Sequence, residues 1–530
     1  MAERLDIVIR NGEIIDGTGS EPFRADIGIK GDRIAGIGEF YPGDSDRVID
    51  ARGMVICPGF IDIHGHSDVS LFVDGRAYSL VAQGVTTQVI GNCGFSAIPL
   101  AGEYAEEFFD DNKREYELTT RWASLSEYIT EIEHSGISIN IVPLVGHGNL
   151  RGSVMGFYAD QASEEEISLM GELLRETLIQ GAWGLSTGLI YAPGCFSDED
   201  EIVEILSYLK NLAPYYATHI RGESDNLIPA IKEALNTGER AGVSVEISHL
   251  KASYPSNWGK VKDALELMEN ARENGLEVGC DVYPYSASST TLSAVLPDWF
   301  LEGGQDKFLS RLADPGAREK AKEEMIKDFG RDWSRVMIAN VILDKNRFTE
   351  GMRVSEYAVE VGKDPESAVM DLLLEEGGHV SAIYFSMCEE DVETVIKHPL
   401  SVIGSDCEAR SPEGILGKGK PHPRTYGTFP RIIRKYVREK PVLTLPGAIK
   451  KMTSVTARRL GIKDRGVICE NCRADLVIFS PEKIKDTADF VNPHRFPEGI
   501  KSVIVNGVMV IYENDHTGNM PGVVITRGKK

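Results

Sequence analysis

Two histidines one residue apart close an apolar run in "PGFIDIHGHSD", residues 58–68. On a strand, residues two apart point the same way, so His64 and His66 share a face with Asp62 below them. Two neutral imidazoles placed like this can grip a metal ion. The same residue types close other apolar runs: Cys93 in "TTQVIGNC", His219 in "ATHIRGE", His249 in "ISHLKA" and Asp406 in "GSD". The chain has 11 histidines, and four of them fall at these ends. Taken singly, each has a plainer reading. A lone cysteine after a strand is usually a small buried apolar group, His219 could be a hydrogen-bonded core residue, and Asp406 could cap a helix. Together they favour a metal site. A thiolate with imidazoles suits Zn²⁺ and leaves a fourth position for water. We therefore read Cys93, His219 and His249 as one tight zinc site. His64 and His66 hold a second, weaker ion or complete the first. Asp406 bridges to that ion and takes the proton of its water.

Such residues need a frame. Eight segments read as buried strands: 59–64, 86–93, 138–146, 183–189, 215–220, 244–250, 277–285 and 400–406. Amphipathic helical stretches separate them, among them "SEEEISLMGELLRETLIQG", with acids in its first turn and Gly181 at its close. Eight βα units imply an α/β fold, a closed (β/α)8 TIM-like barrel with reactive side chains at the carboxyl ends of its strands. The barrel is expected over 58–464. Over a hundred residues separate Tyr285 from Leu400, too many for one crossover, so 286–350 is expected to form a lid insertion. Both ends of the chain are rich in short strands, with Asn11-Gly12 and Asn506-Gly507 as hairpin signals. They predict a small β-sandwich domain from 1–57 plus 465–530. The last residues, "TRGKK", are expected to fray.

Composition narrows the partners. The 530 residues carry a net charge of -24, which argues against nucleic acid, since phosphate binding needs a cationic surface. An anionic small-molecule substrate would need cations gathered at the site. No run approaches the roughly 18 apolar residues of a membrane span, and charges interrupt the opening apolar pattern, unlike a signal peptide. Eight scattered cysteines suggest a reducing, cytoplasmic setting. Cys469 and Cys472 form a lone C-x-x-C, read as structural, and His147 reads as a hydrogen-bonding barrel residue.

The pattern resembles the amidohydrolase superfamily through "PGFIDIHGHSD", "THI", "SHL" and "GSD". More finely, it resembles the N-acyl-D-amino-acid deacylase (D-aminoacylase) family through "GVTTQVIGNCG", "GLSTGLIYAPG", "ATHIRGE", "DVYPYSASST" and "HPRTYGTFPR". The likeness spans about 5–512. It implies zinc-dependent hydrolysis of the amide bond of N-acyl-D-amino acids, with a metal-activated water as nucleophile and Asp406 as general base and then acid. It also implies a carboxylate-binding set of Lys251, Tyr283, Ser289 and Arg424. The preference for D substrates comes from the resemblance alone. Hydantoinase-like and dihydroorotase-like members carry a carboxylated lysine at the end of strand four, and isoaspartyl dipeptidases a glutamate. Here that strand reads "WGLSTGL", which counts against a cyclic-amide hydrolase or a dipeptidase and leaves the ligand role to Cys93. A non-catalytic scaffold would normally have lost metal ligands, and this chain keeps the set. The segment after Asp406, "CEARSPEGILGKGKPHPR", is long and charged, so Arg410 competes with Arg424 for the substrate carboxylate.

Overall fold

Eight short parallel strands ring the centre of the molecule: Phe60–Asp62, Val85–Ile90, Asn140–Pro143 continued by Val145–Gly146, Leu185–Gly188, Tyr215–His219, Ser244–Ile247, Val278–Val282 and Ser401–Ile403. We call them barrel strands one to eight. The computed structural model describes residues 4–528 apart from 42, 211, 213, 330 and 331. Each strand pairs in parallel with the next, and strand seven pairs with strand eight through Cys280–Ser401 and Val282–Ile403. The ring closes just beyond the named strands, where Gly65 bridges Cys407 in parallel and the Asp406 amide donates to the His64 carbonyl at 2.8 Å. Seven of the expected strand segments contain one of the eight, and the second, 86–93, starts one residue inside its strand. The strands are buried on both faces, which is why they read as near-continuous apolar runs.

The helices around the ring begin and end where their sequences dictate. In Glu164–Gln180, the Ser163 hydroxyl accepts from the Glu166 amide while the Glu166 side chain accepts from the Ser163 amide, and Gly181 closes the helix at φ 121°. Leu227–Ala241 ends in the same manner on Gly242, in the left-handed region at φ 70°.

Strands from the two ends of the chain form two facing sheets. One has four strands in the order Arg33–Gly38, Asp26–Lys30, Leu5–Arg10, Ser45–Asp50. The other has seven and takes Leu476–Phe479, Ile500–Val505 and Val508–Tyr512 together with Val55–Pro58. Isoleucines 7, 9, 27, 29, 56, 478 and 504 pack between them. The two Asn-Gly pairs behave differently. Asn506-Gly507 joins Val505 to its partner Val508 with both φ values positive, a two-residue hairpin. At Asn11-Gly12 the expected hairpin does not form: Leu5–Arg10 pairs in the four-stranded sheet and Glu13–Ile14 in the seven-stranded one. The turn there carries the chain from one sheet to the other.

Between strands seven and eight lies a separate body with its own core, drawn from Leu292 through Tyr384 and so running past residue 350. Its sheet sets Ser381–Tyr384 between Ser288–Thr291 and Val336–Asn340, antiparallel to both. The tail is tied down further than expected. The Arg527 amide donates to the Gly181 carbonyl at 2.8 Å and its guanidinium lies over the Trp183 ring. Residues 529 and 530 lie outside the described residues. Cys469 and Cys472 are joined in a local disulfide. Among the described residues, no helix is long and apolar enough to cross a membrane.

Candidate active site and metal centre

The carboxyl ends of strands one, two, five, six and eight converge on the Cys93 sulfur. It lies 3.2 Å from His64 Nε2 and 3.5 Å from His249 Nε2. Two donor groups share it: His64, His66, Cys93 and Asp406 in one, Cys93, His219 and His249 in the other, each with ligand atoms within 4.8 Å of one another. The backbone is bent to achieve this. Cys93, His249 and Asp406 have φ values of 53°, 37° and 52°. Left-handed backbone at a residue with a Cβ costs about 1–2 kcal/mol, and three such residues meeting at one point mark a site under functional constraint. In "GNCG" the flanking Gly91 and Gly94, both at φ 78°, make the reversal that aims the thiol inward.

The last residue of strand four, Gly188, leaves no room for a side chain. A Cβ on Gly188 would lie 2.0 Å from the Cys93 carbonyl oxygen. The glycine lets the Cys93 backbone close in against the end of strand four.

Electrostatics leaves Cys93 and Asp406 in states that can meet a cation. Burial pushes the Cys93 thiol up, but the imidazoles of His64 and His249 outweigh it and hold the thiol well below its ordinary value. Burial likewise raises the Asp406 carboxyl, and Arg424 and His249 outweigh it, holding it well below the usual carboxylate range. The Asp406 oxygens lie 3.1 Å from His66 Nε2 and 2.6 Å from Arg424. The residues fit a metal. Both ring nitrogens of His219 are buried without a hydrogen-bond partner, and a buried polar atom in that state costs about 1–3 kcal/mol unless something outside the chain meets it. The donor set, one sulfur with imidazoles and a carboxylate, suits zinc.

Of the anticipated carboxylate-binding residues, Lys251, Ser289 and Arg424 line a cavity of about 630 Å³ that opens from the metal-site residues. A volume of that size suits a small substrate. Arg424 also donates to the Ser289 carbonyl at 3.2 Å, and the Ser289 hydroxyl donates to the Ala382 carbonyl. Tyr283 sits differently from the others. It is buried behind the wall, its ring 4.7 Å beneath the Arg424 guanidinium and its hydroxyl turned to the Met387 sulfur at 3.8 Å. Arg410 lines the cavity but is bound to Glu408 at 2.8 Å. Asp62 serves as a staple: its oxygens accept from the Ser405 amide and hydroxyl and from Gln88.

Sequence reading missed two carboxylates. Asp281 on strand seven lies 3.1 Å from His64 Nδ1 and accepts from the His249 amide at 3.0 Å, holding one imidazole and the backbone that carries another. An acid in the otherwise apolar strand "VGCDV" was the available signal. Glu223, four residues after His219, faces His249 and Lys251. His147 is a hydrogen-bonding residue: its Nε2 lies 2.9 Å from Glu201, which also pairs with Arg151. The Arg151 side chain is 0% exposed. Glu201→Ala therefore leaves a buried guanidinium unpaired and should cost about 3–5 kcal/mol of stability, read as a lower urea midpoint.

Comparison with known proteins adds to this geometry. The amidohydrolase family model matches residues 47–210 and 350–511. The N-acyl-D-glutamate deacylase of Alcaligenes xylosoxydans xylosoxydans is 34% identical over 532 residues, covering 99% of this chain and 98% of its own. The D-aminoacylase of the same organism is 34% identical over 530 residues, again covering 99% and 98%. The crystal structure of an N-acyl-D-glutamate deacylase from Bordetella bronchiseptica, complexed with zinc and a phosphonate inhibitor that mimics the tetrahedral intermediate, matches with a TM-score of 0.84. Its identity is 32%, and the match covers 99% of this chain and 100% of that one.

Proposed function

Since the chain belongs to the amidohydrolase family, we propose that it hydrolyses the amide bond of N-acyl-D-amino acids to a carboxylic acid and a free D-amino acid. Cys93, His219 and His249 would hold one zinc tightly, with His64 and His66 beside Asp406 for a second, weaker ion. Zinc, when bound, supplies a Lewis acid that acidifies water and polarises the acyl carbonyl.

The chain's own residues do the rest. Arg424, Lys251 and Ser289 bind the substrate carboxylate, Arg424 with its planar fork of donors and the Tyr283 ring packed beneath it. This fixes which face of the amide meets the water and lowers the barrier by positioning. Asp406 takes the proton of the attacking water and returns it to the leaving nitrogen. Arg424 links the two roles. It holds Asp406 at 2.6 Å, so a substrate carboxylate that draws the guanidinium away frees that oxygen to accept a proton. The cavity is also lined by Glu107, Asp111 and Glu408, with Asp111 3.4 Å from His379 and Glu408 paired with Arg410, a setting that disfavours anionic side chains.

The observation that carries this reading is the buried Cys93 sulfur between two imidazoles, with a third imidazole unpartnered beside it, at the floor of a cavity that holds Asp406 and Arg424. The test is a turnover screen of N-acetyl-D- and L-amino acids, hydantoins and β-aspartyl dipeptides, with metal content measured on the same samples. We expect zinc-dependent hydrolysis of N-acetyl-D-leucine at least about 100-fold faster than of its L form, and slower turnover of N-acetyl-D-glutamate. Equal rates on both enantiomers, or faster opening of hydantoins, would overturn it.

A further inference from the structure

Glu223 stands between the metal-site imidazoles and the carboxylate-binding lysine. Its Oε1 lies 3.1 Å from Nδ1 of His249, 3.6 Å from Nε2 of His219, and within hydrogen-bond distance of the Lys251 ammonium. Lys251 Nζ is in turn 2.8 Å from that same Nδ1. The lysine side chain is buried, and Glu223 is 17% exposed. One carboxylate oxygen, one ring nitrogen and one ammonium thus form a closed triangle.

The triangle holds a parity constraint. Nδ1 of a neutral imidazole either donates one hydrogen bond or accepts one, while an ammonium only donates. The other ring nitrogen, Nε2, faces the Cys93 sulfur at 3.5 Å. With the hydrogen on Nε2, Nδ1 accepts from Lys251, and the ammonium is held by ring and carboxylate together. With the Nε2 lone pair given to a metal, the hydrogen sits on Nδ1 and donates to Glu223. Lys251 then loses its acceptor on the ring and gains a free N–H inside the cavity it lines.

We propose that Glu223 is a positioning residue through which metal loading at His249 frees Lys251 for the substrate carboxylate. The role given to Lys251 rests on the substrate reading above; the link from Glu223 to His249 does not. The neighbouring His219 has no hydrogen-bond partner on either nitrogen, so among the described residues the tether acts on His249. The consequence is reciprocal: occupancy of the metal site and strength of carboxylate binding rise together.

Zinc affinity separates this role from a merely structural one, because it is read without turnover. Zinc is titrated by chelator competition into metal-free wild type, Glu223→Gln, Lys251→Met and the double variant, and KM for N-acetyl-D-leucine is measured on the loaded proteins. We expect Glu223→Gln to bind zinc about 10- to 100-fold more weakly and to raise KM about tenfold. Lys251→Met should raise KM by a similar factor yet bind zinc about 2- to 10-fold more tightly, since nothing then competes for Nδ1. In the double variant the two zinc shifts should not add, because both act through one nitrogen, whereas charge effects through space would add. If Glu223→Gln does not fold, Glu223→Asp carries the same comparison. Unchanged zinc affinity in the Glu223 variant, zinc binding no tighter in Lys251→Met, or strictly additive shifts would each overturn the proposal. The zinc pattern together with no hydrolysis of N-acetyl-D-leucine by wild type would instead overturn the substrate reading.

Discussion

Cys93→Ala is expected to emerge from zinc-supplemented expression with less than about a tenth of the wild-type zinc and with kcat/KM lowered by at least about 10³-fold, some 4 kcal/mol of transition-state stabilisation. The size follows from the geometry. Cys93 is the one residue shared by both donor groups, so its loss opens two sites at once. Imidazoles and a carboxylate remain, but the sulfur between His64 and His249 at 3.2 and 3.5 Å is gone, and Gly188 at the end of strand four has no side chain to replace it. The substitution is mild for the fold, since alanine removes one sulfur and inherits the same backbone conformation. Cys407→Ala is the matched control. That thiol also lines the cavity but is turned to the Ser405 hydroxyl at 3.0 Å, so this variant should keep its zinc. Metal analysis and steady-state rates on the two proteins decide the matter. Wild-type zinc content in Cys93→Ala would show that the sulfur is not a ligand.

The sequence made the barrel legible because its strands are buried on both faces and end abruptly in metal-binding residue types, so period and chemistry marked the same places. What stayed hidden depended on pairings across long distances. Glu223 has an unremarkable local context, and Asp281 shows only as an acid in an apolar strand; their importance arises when strands one, six and seven bring His64, His249 and Lys251 against them. The segment "VSAIYFS" reads as an extra apolar run, but nothing local says that its partners are Ser288–Thr291 and Val336–Asn340. Asn11-Gly12 and Asn506-Gly507 make the point within one dipeptide. Turn chemistry permits a reversal at both, and the flanking strands decide whether it joins neighbours in one sheet or passes between two. Tyr283 shows the limit for side chains: the resemblance places it among the carboxylate binders, but Arg424 settles above its ring and occupies the space toward the cavity.

Asp406→Ala should separate metal binding from proton transfer. The three donors Cys93, His219 and His249 are untouched by it, so the tight zinc should remain. The residue that accepts the water proton and protonates the leaving nitrogen is gone, and kcat should fall by about 10²- to 10⁴-fold, the usual worth of a positioned acid–base group. KM tests the second half of the argument. Arg424, released from its 2.6 Å contact with Asp406, is left as a buried cation whose best remaining partner is the substrate carboxylate. KM should therefore hold steady or fall while kcat collapses. The same unpaired charge should lower the melting temperature of the unliganded variant, and added D-leucine should recover part of that loss by pairing with it. A variant with near-normal kcat would assign the proton transfer to another group. One that lost its zinc would place Asp406 among the indispensable ligands and leave its acid–base role without support from this experiment.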